Sequence, residues 1–149
     1  MTTHADFTEE EWDTVLEGPT SAGMIITTAQ RGGTFREVMA MAKAYTEARQ
    51  EHGTSELLDE IVAHKPETDR AKEHSKEGMK EHYLQNVRDG VALVAAKATP
   101  AELGDYRLFV VSLAKKVAGA KKEKGSEGGV TEAEASAIVE IEAALGTTA

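Results

Sequence analysis

Apolar residues along this chain recur at helical rather than alternating spacing, and the stretches between them carry helix-start and helix-stop residues. Thr8 with Glu11 three positions on forms a capping pattern for a helix from about Glu9 to Glu17 that buries Trp12, Val15 and Leu16. Gly18-Pro19 predicts its end, and Pro19 or Thr20 opens a second helix in which Ala22, Ile25, Ile26 and Ala29 share a face. Gly32-Gly33 breaks the chain, and Thr34 with Glu37 restarts it into a helix from about Phe35 to Glu51, striped by Phe35, Val38, Met39, Ala42 and Tyr45. A short helix carries Leu57, Leu58, Ile61 and Val62 on one face. Another, from about Glu81 to Lys97, aligns Leu84, Val87, Val91, Val94, Ala95 and Ala98 across Gly90. Thr99-Pro100-Ala101-Glu102 combines an N-cap, a proline at the first helical position and the reciprocal glutamate. The stripe Tyr106, Phe109, Val110, Leu113, Val117, Ala120 follows, then the glycine-rich break Gly125 to Gly129. Thr131 with Glu134 opens a last helix, with Ala135, Ile138, Ile141 and Leu145 inward and Gly146 as its stop.

The expectation is an all-α bundle of about six or seven helices in one domain spanning 1–149. It contains two helix-break-helix units packed around Ile25, Ile26, Val38, Phe109, Leu113, Val117, Ile138 and Ile141. Residues 67–80 are nearly all charged or polar and form either an exposed lead-in helix or a frayed loop, and 147–149 form a loose tail. Met24, Met39, Met41 and Met79 read as core filler, except that Met41 falls off its stripe and joins Tyr83 and Phe7 as a candidate exposed patch for self-association.

Composition narrows the function. Seventeen Lys and Arg against 26 Asp and Glu give a formal charge of -9, whose field repels phosphate backbones and anionic lipid. Nucleic acid is therefore not an expected partner. With no cysteine, disulfides, thiolate metal sites and thiol nucleophiles are excluded. No apolar run is long enough for a membrane span, and Met1 to Glu11 lacks a signal-peptide pattern, so the expectation is a cytoplasmic protein without an integral membrane segment.

The candidate chemistry lies at the two breaks. Gly32-Gly33-Thr34-x-x-Glu37 and Gly128-Gly129-Val130-Thr131-x-x-Glu134 are each explained by a helix C-cap followed by a capping box. If the breaks meet, the carboxylates of Glu37 and Glu134, with Glu127 as a further ligand, suit a hard divalent cation. A second concentration holds His64, Glu67, Asp69, His74, Glu77, Glu81 and His82; on a helix His74, Glu77 and Glu81 share one face. Lys72, Lys76 and Lys80 interleave with them, as on a solvated charged face. No Gly-x-Ser-x-Gly elbow, Walker loop or strand-borne Gly-x-Gly-x-x-Gly occurs, and Ser112 or Ser136 with a histidine makes only a paper dyad.

Ala114-Lys115-Lys116-Val117-Ala118-Gly119-Ala120, the glycine break, Val130-Thr131-Glu132-Ala133-Glu134 and the ending Ala143-Ala144-Leu145-Gly146 resemble the second half of the TerB-like tellurite-resistance family. The match covers roughly the last 45 residues, echoed over Ala22 to Tyr45. The resemblance implies an all-helical domain of the response to metal or oxyanion stress whose acidic residues bind a divalent cation, and the leading expectation is a non-enzymatic module of that kind acting through protein partners or as a homo-oligomer. Glu134 occupies the signature glutamate position and Glu37 is its counterpart, whereas the family's loop aspartate is absent unless Glu127 substitutes for it. The alternative class is a small-molecule or acyl-chain binding protein with a pocket inside the bundle; a third is an enzyme built on His64 to His82.

Overall fold

The computed structural model describes residues 3–29, 34–50, 56–63, 76–119 and 132–146. Six α-helices occur among them, α1 (Glu9–Ala29), α2 (Thr34–Gln50), α3 (Glu56–Ala63), α4 (Lys76–Lys97), α5 (Pro100–Ala118) and α6 (Glu132–Leu145), after a short 3-10 turn at His4–Asp6. No strand is present among the described residues, so the fold is the all-α bundle the periodicity predicts. Both glycine breaks, with 64–75 and 147–149, fall outside the described residues. The part of 67–80 that is described, from Lys76 on, is the first turn of α4.

The helix starts follow local chemistry. The Thr8 N–H donates to Glu11 Oε1 at 2.8 Å and the Glu11 N–H donates to Thr8 Oγ1 at 3.1 Å. The Thr99 and Glu102 pair repeats this at 2.9 and 3.2 Å. Each reciprocal pair satisfies two N–H groups that a helix start leaves without intrahelical partners. At the other end of α6, Gly146 takes φ +73°, a conformation glycine adopts without penalty, and Arg107 Nε donates to the Leu145 carbonyl at 2.8 Å.

The expected helix end at Gly18-Pro19 does not occur, because α1 runs unbroken from Glu9 to Ala29 with Pro19 inside it. Proline has no N–H, so the carbonyl four residues earlier, that of Val15, loses its helical donor. The Tyr106 hydroxyl from α5 replaces it, donating to Val15 O at 2.8 Å in the buried interior. Gly18 eases the junction twice. It has no Cβ to clash with the proline ring, and a Cβ there would lie 2.1 Å from the Tyr106 hydroxyl oxygen. Across the contact, a Cβ on Gly90 of α4 would lie 2.7 Å from that oxygen, 3.1 Å from the Thr14 carbonyl and 3.5 Å from Gly18 Cα. The two glycines therefore let α1 and α4 approach closely around one tyrosine hydroxyl. Burial pushes the Tyr106 phenol far above its ordinary range, so it stays a donor at all working pH values.

α1 is the central helix, packed along α4 and α5 and touching α2 and α6. The core takes Ile25, Ile26, Phe109, Leu113, Val117, Ile138 and Ile141 as expected, while the Val38 side chain lies outside the described set. The stripe of α2 differs from its predicted form. Met41, Ala44 and Tyr45 are buried, whereas Met39 is 56% exposed and Ala42 is exposed. Met41 packs against the bare backbone of Gly23, where an added Cβ would lie 2.4 Å from its Cε. The proposed patch of Met41, Tyr83 and Phe7 is thus part of the core, since all three are buried. Ala95 and Ala135, predicted inward, are exposed. A methyl side chain gains too little from burial to decide a helix's rotation.

Candidate functional site

Glu37 lies in α2 and Glu134 in α6, but their side chains are outside the described residues, and Glu127 falls entirely outside them. His64, Glu67, Asp69 and His74 are likewise undescribed, as is the side chain of Glu77. The described end of that cluster is engaged on the flank of α4. Glu81 pairs with Arg88 at 3.0 Å, and the His82 ring meets the Tyr83 ring edge-on at 5.5 Å. Lys80 reaches across to Glu140 of α6 at 2.7 Å. Among the described residues, no group of three His, Asp or Glu side chains is arranged to hold a metal ion.

At the N-terminus, the His4 ring stacks on Trp12 at 4.4 Å, its backbone N–H donates to Glu60 at 2.7 Å, and its Nε2 lies 3.7 Å from Glu9. His4, Glu9 and Glu60, with Phe7 and Ala63, edge a wide, open depression. Lys97 closes the neighbouring seam by donating to the Asp6 carbonyl and to Glu11, with its Nζ 5.5 Å from the Phe7 ring centroid. Lys97 and the Thr8 amide hold the Glu11 carboxyl below its ordinary range. These contacts tie the first residues to α1, α3 and α4.

A narrower groove of about 260 Å³ runs between α2, α3 and α5. It exists because α2 presents Ala44 and Ala48, one turn apart, to Leu58 of α3 and to Phe109 and Leu113 of α5. Two methyl groups leave unfilled the space that larger side chains would take. The walls are held in place by three contacts. Tyr45 meets Phe109 edge-to-face at 5.2 Å, Arg49 Nε donates to the Val62 carbonyl, and Lys116 pairs with Glu47 at 3.3 Å. Asp59, Asp105, Ser112 and Lys116 line the polar edge. Leu108 stands beside them, 68% exposed.

Ser112 is thus part of the groove wall, and no histidine is among the groove's described lining residues; Ser136 is exposed on α6. The sequence reading passed over Leu108. Its signal is that it directly precedes Phe109 and falls off the Tyr106, Phe109, Leu113, Val117 stripe, between Asp105 and Ser112. Ala44 and Ala48 carry no such signal, because alanine is at home inside and outside a helix bundle. No helix among the described residues is long and apolar enough to cross a membrane. Compared with known protein families, with characterised proteins and with solved structures, the chain matches none.

Proposed function

We propose that this chain is a non-catalytic helical interaction module, of the stress-associated TerB-like kind that its second half resembles, and that it holds another polypeptide on the face formed by α2, α3 and α5. The observation that carries this reading is the groove itself, with an apolar floor, a polar edge of both signs and an exposed leucine at its side. An apolar floor rimmed by polar groups is the usual form of a helix-binding groove. The alternative, a small-molecule or acyl-chain ligand held inside the bundle, would lie among Trp12, Tyr83, Tyr106, Ile25 and Leu113, which are fully buried.

A photo-crosslinking residue at Leu108 tests the reading in the native host. It should give adducts with a polypeptide, while the same probe at exposed Ala95 on α4 should not. Absence of adducts at Leu108 removes the reading. The divalent cation at Glu37, Glu127 and Glu134 belongs to the same proposal. At a hundredfold excess over its Kd such an ion contributes about 2.7 kcal/mol, or roughly 5–10 °C in Tm for a chain of this size. Mg²⁺, Ca²⁺, Mn²⁺ or Zn²⁺ should raise the Tm of the wild type and not of Glu134→Gln; a shift with none of the four discards the cation.

A further inference from the structure

We infer that the polypeptide bound on this face is a second copy of the same chain, joined through α5 packed antiparallel on α5 about a twofold axis. This rests on the reading of the groove as a protein-binding face. Along α5, Asp105, Leu108, Ser112, Lys115 and Lys116 follow one another at helical spacings and form a seam on the accessible side. Leu108, Lys115 and Lys116 are exposed, and Asp105 and Ser112 are half-buried. At 1.5 Å per residue, Asp105 stands about 15 Å from the lysine pair.

An antiparallel alignment that sets Leu108 of one copy against Ser112 of the other also sets Asp105 against Lys115, with Lys116 one position beyond. The symmetry repeats both matches in reverse. Leucine then packs where the facing side chain is small, beside the mouth of the partner's groove, and the carboxylate meets the Lys115 ammonium, while Lys116, which also pairs with Glu47 of its own chain, stands one position beyond. Setting Leu108 against Leu108 instead places Asp105 opposite Val111 and Lys115 opposite Ala101, where neither charge has a partner. Steric fit and charge therefore select one register.

The seam carries knob and space, acid and base, at mutually matching positions, which is the requirement of a twofold interface and of no other partner in particular. The overall charge of -9 would draw a basic partner, but Lys115 and Lys116 on this seam oppose one. The same net charge makes two copies repel, so association depends on the local pairs, and a single helix seam lies at the small end of interface sizes. A weak, concentration-dependent dimer is the result.

Sedimentation equilibrium tests this. The wild-type mass should rise from 16.0 kDa toward twice that value. The rise should fall between about 10 µM and about 1 mM, the affinity range of a small interface. Asp105→Lys alone and Lys115→Asp/Lys116→Asp alone each set like charges face to face, and each should associate at least about tenfold more weakly. Mixed one to one, the two variants bring both sets of opposite charges back together, so the mixture should dimerise at least about tenfold more tightly than either variant alone. Leu108→Glu should stay monomeric, with far-UV circular dichroism confirming that every variant is helical. A wild type that is monomeric at about 1 mM overturns the inference, as does a mixture no tighter than its components. If either result comes with Leu108 adducts to a different polypeptide, the dimer is wrong and the interaction module stands.

Discussion

Two of the three prolines occupy opposite situations in neighbouring helices. Pro100 is the first residue of α5, where its missing N–H has no helical partner to lose, and the Thr99 and Glu102 pair completes the start. Pro19 sits in the middle of α1 and strips the Val15 carbonyl of its donor, yet the helix continues. The difference lies in who supplies the lost hydrogen bond. At Pro100 no repair is needed, and the capping pair lies at its side, Thr99 just before it and Glu102 two residues on. At Pro19 the repair comes from Tyr106, 91 residues distant from Val15 in sequence. Whether a proline stops a helix is therefore decided by the fate of the freed carbonyl, and an interior helix packed against a tyrosine can keep going.

The strongest way to break this contrast is to deny Tyr106 its place. Gly18→Ala puts a methyl group where the hydroxyl lies, so the ring must move and the bond to Val15 is lost. Alanine has a helix propensity about 1 kcal/mol better than glycine, and the substitution should still destabilise by about 1–3 kcal/mol in urea unfolding. A stabilised Gly18→Ala protein would mean that the hydroxyl does not sit between α1 and α4.

A double-mutant cycle sharpens the point. Tyr106→Phe leaves the Val15 carbonyl buried without a partner and should cost about 1–3 kcal/mol. In a Pro19→Ala background the backbone N–H at position 19 donates to that carbonyl again. The cost of Tyr106→Phe should then fall by about 1 kcal/mol. Equal costs in both backgrounds would show that the tyrosine does not substitute for the proline's missing donor. The smallest effect belongs to the other proline's helix. Thr99→Ala removes the cap and should cost about 1 kcal/mol, independent of Pro19 because the two sites share no partner. Coupling between Thr99→Ala and Pro19→Ala would undo the separation drawn between the two helices.

The parts of the molecule that were legible in advance are those whose physics is short-range. The capping pairs Thr8 with Glu11 and Thr99 with Glu102 form between residues three apart. The stripes of α1, α5 and α6 rest on large side chains such as Ile25, Phe109 and Ile141, for which burial is worth about 1.5–3 kcal/mol each, so a wrong rotation of the helix is expensive. In α2 Tyr45 is buried as expected, but Met39 and Ala42 are exposed while Met41 and Ala44 are buried, because methionines and alanines fix a helix's rotation weakly. Gly23 opposite leaves room for Met41 to pack inward, and Met39 lies on the exposed side.

The groove shows the same limit from the functional side. Glu37, Glu127 and Glu134 stood out because glycines and threonines mark helix ends in any sequence. Leu108 and the floor of Ala44 and Ala48 become meaningful only when three helices from different parts of the chain converge. An exposed leucine is ordinary by itself and gains a role from what surrounds it.

By itself, then, the sequence determined the all-helical fold class, where α5 begins, where α6 stops and that Ile25, Ile26, Phe109, Leu113, Val117, Ile138 and Ile141 enter the core, but not that Phe7, Met41 and Tyr83 join them. Those properties follow from hydrogen bonds within one turn and from the period of the helix. The tertiary structure alone decided that α1 passes through Pro19, that α1 and α4 meet at Gly18 and Gly90, and that α2, α3 and α5 leave a groove beside Leu108. Each of these depends on an atom, a bare Cα or an unfilled space contributed from far along the chain. No local pattern encodes such a neighbour.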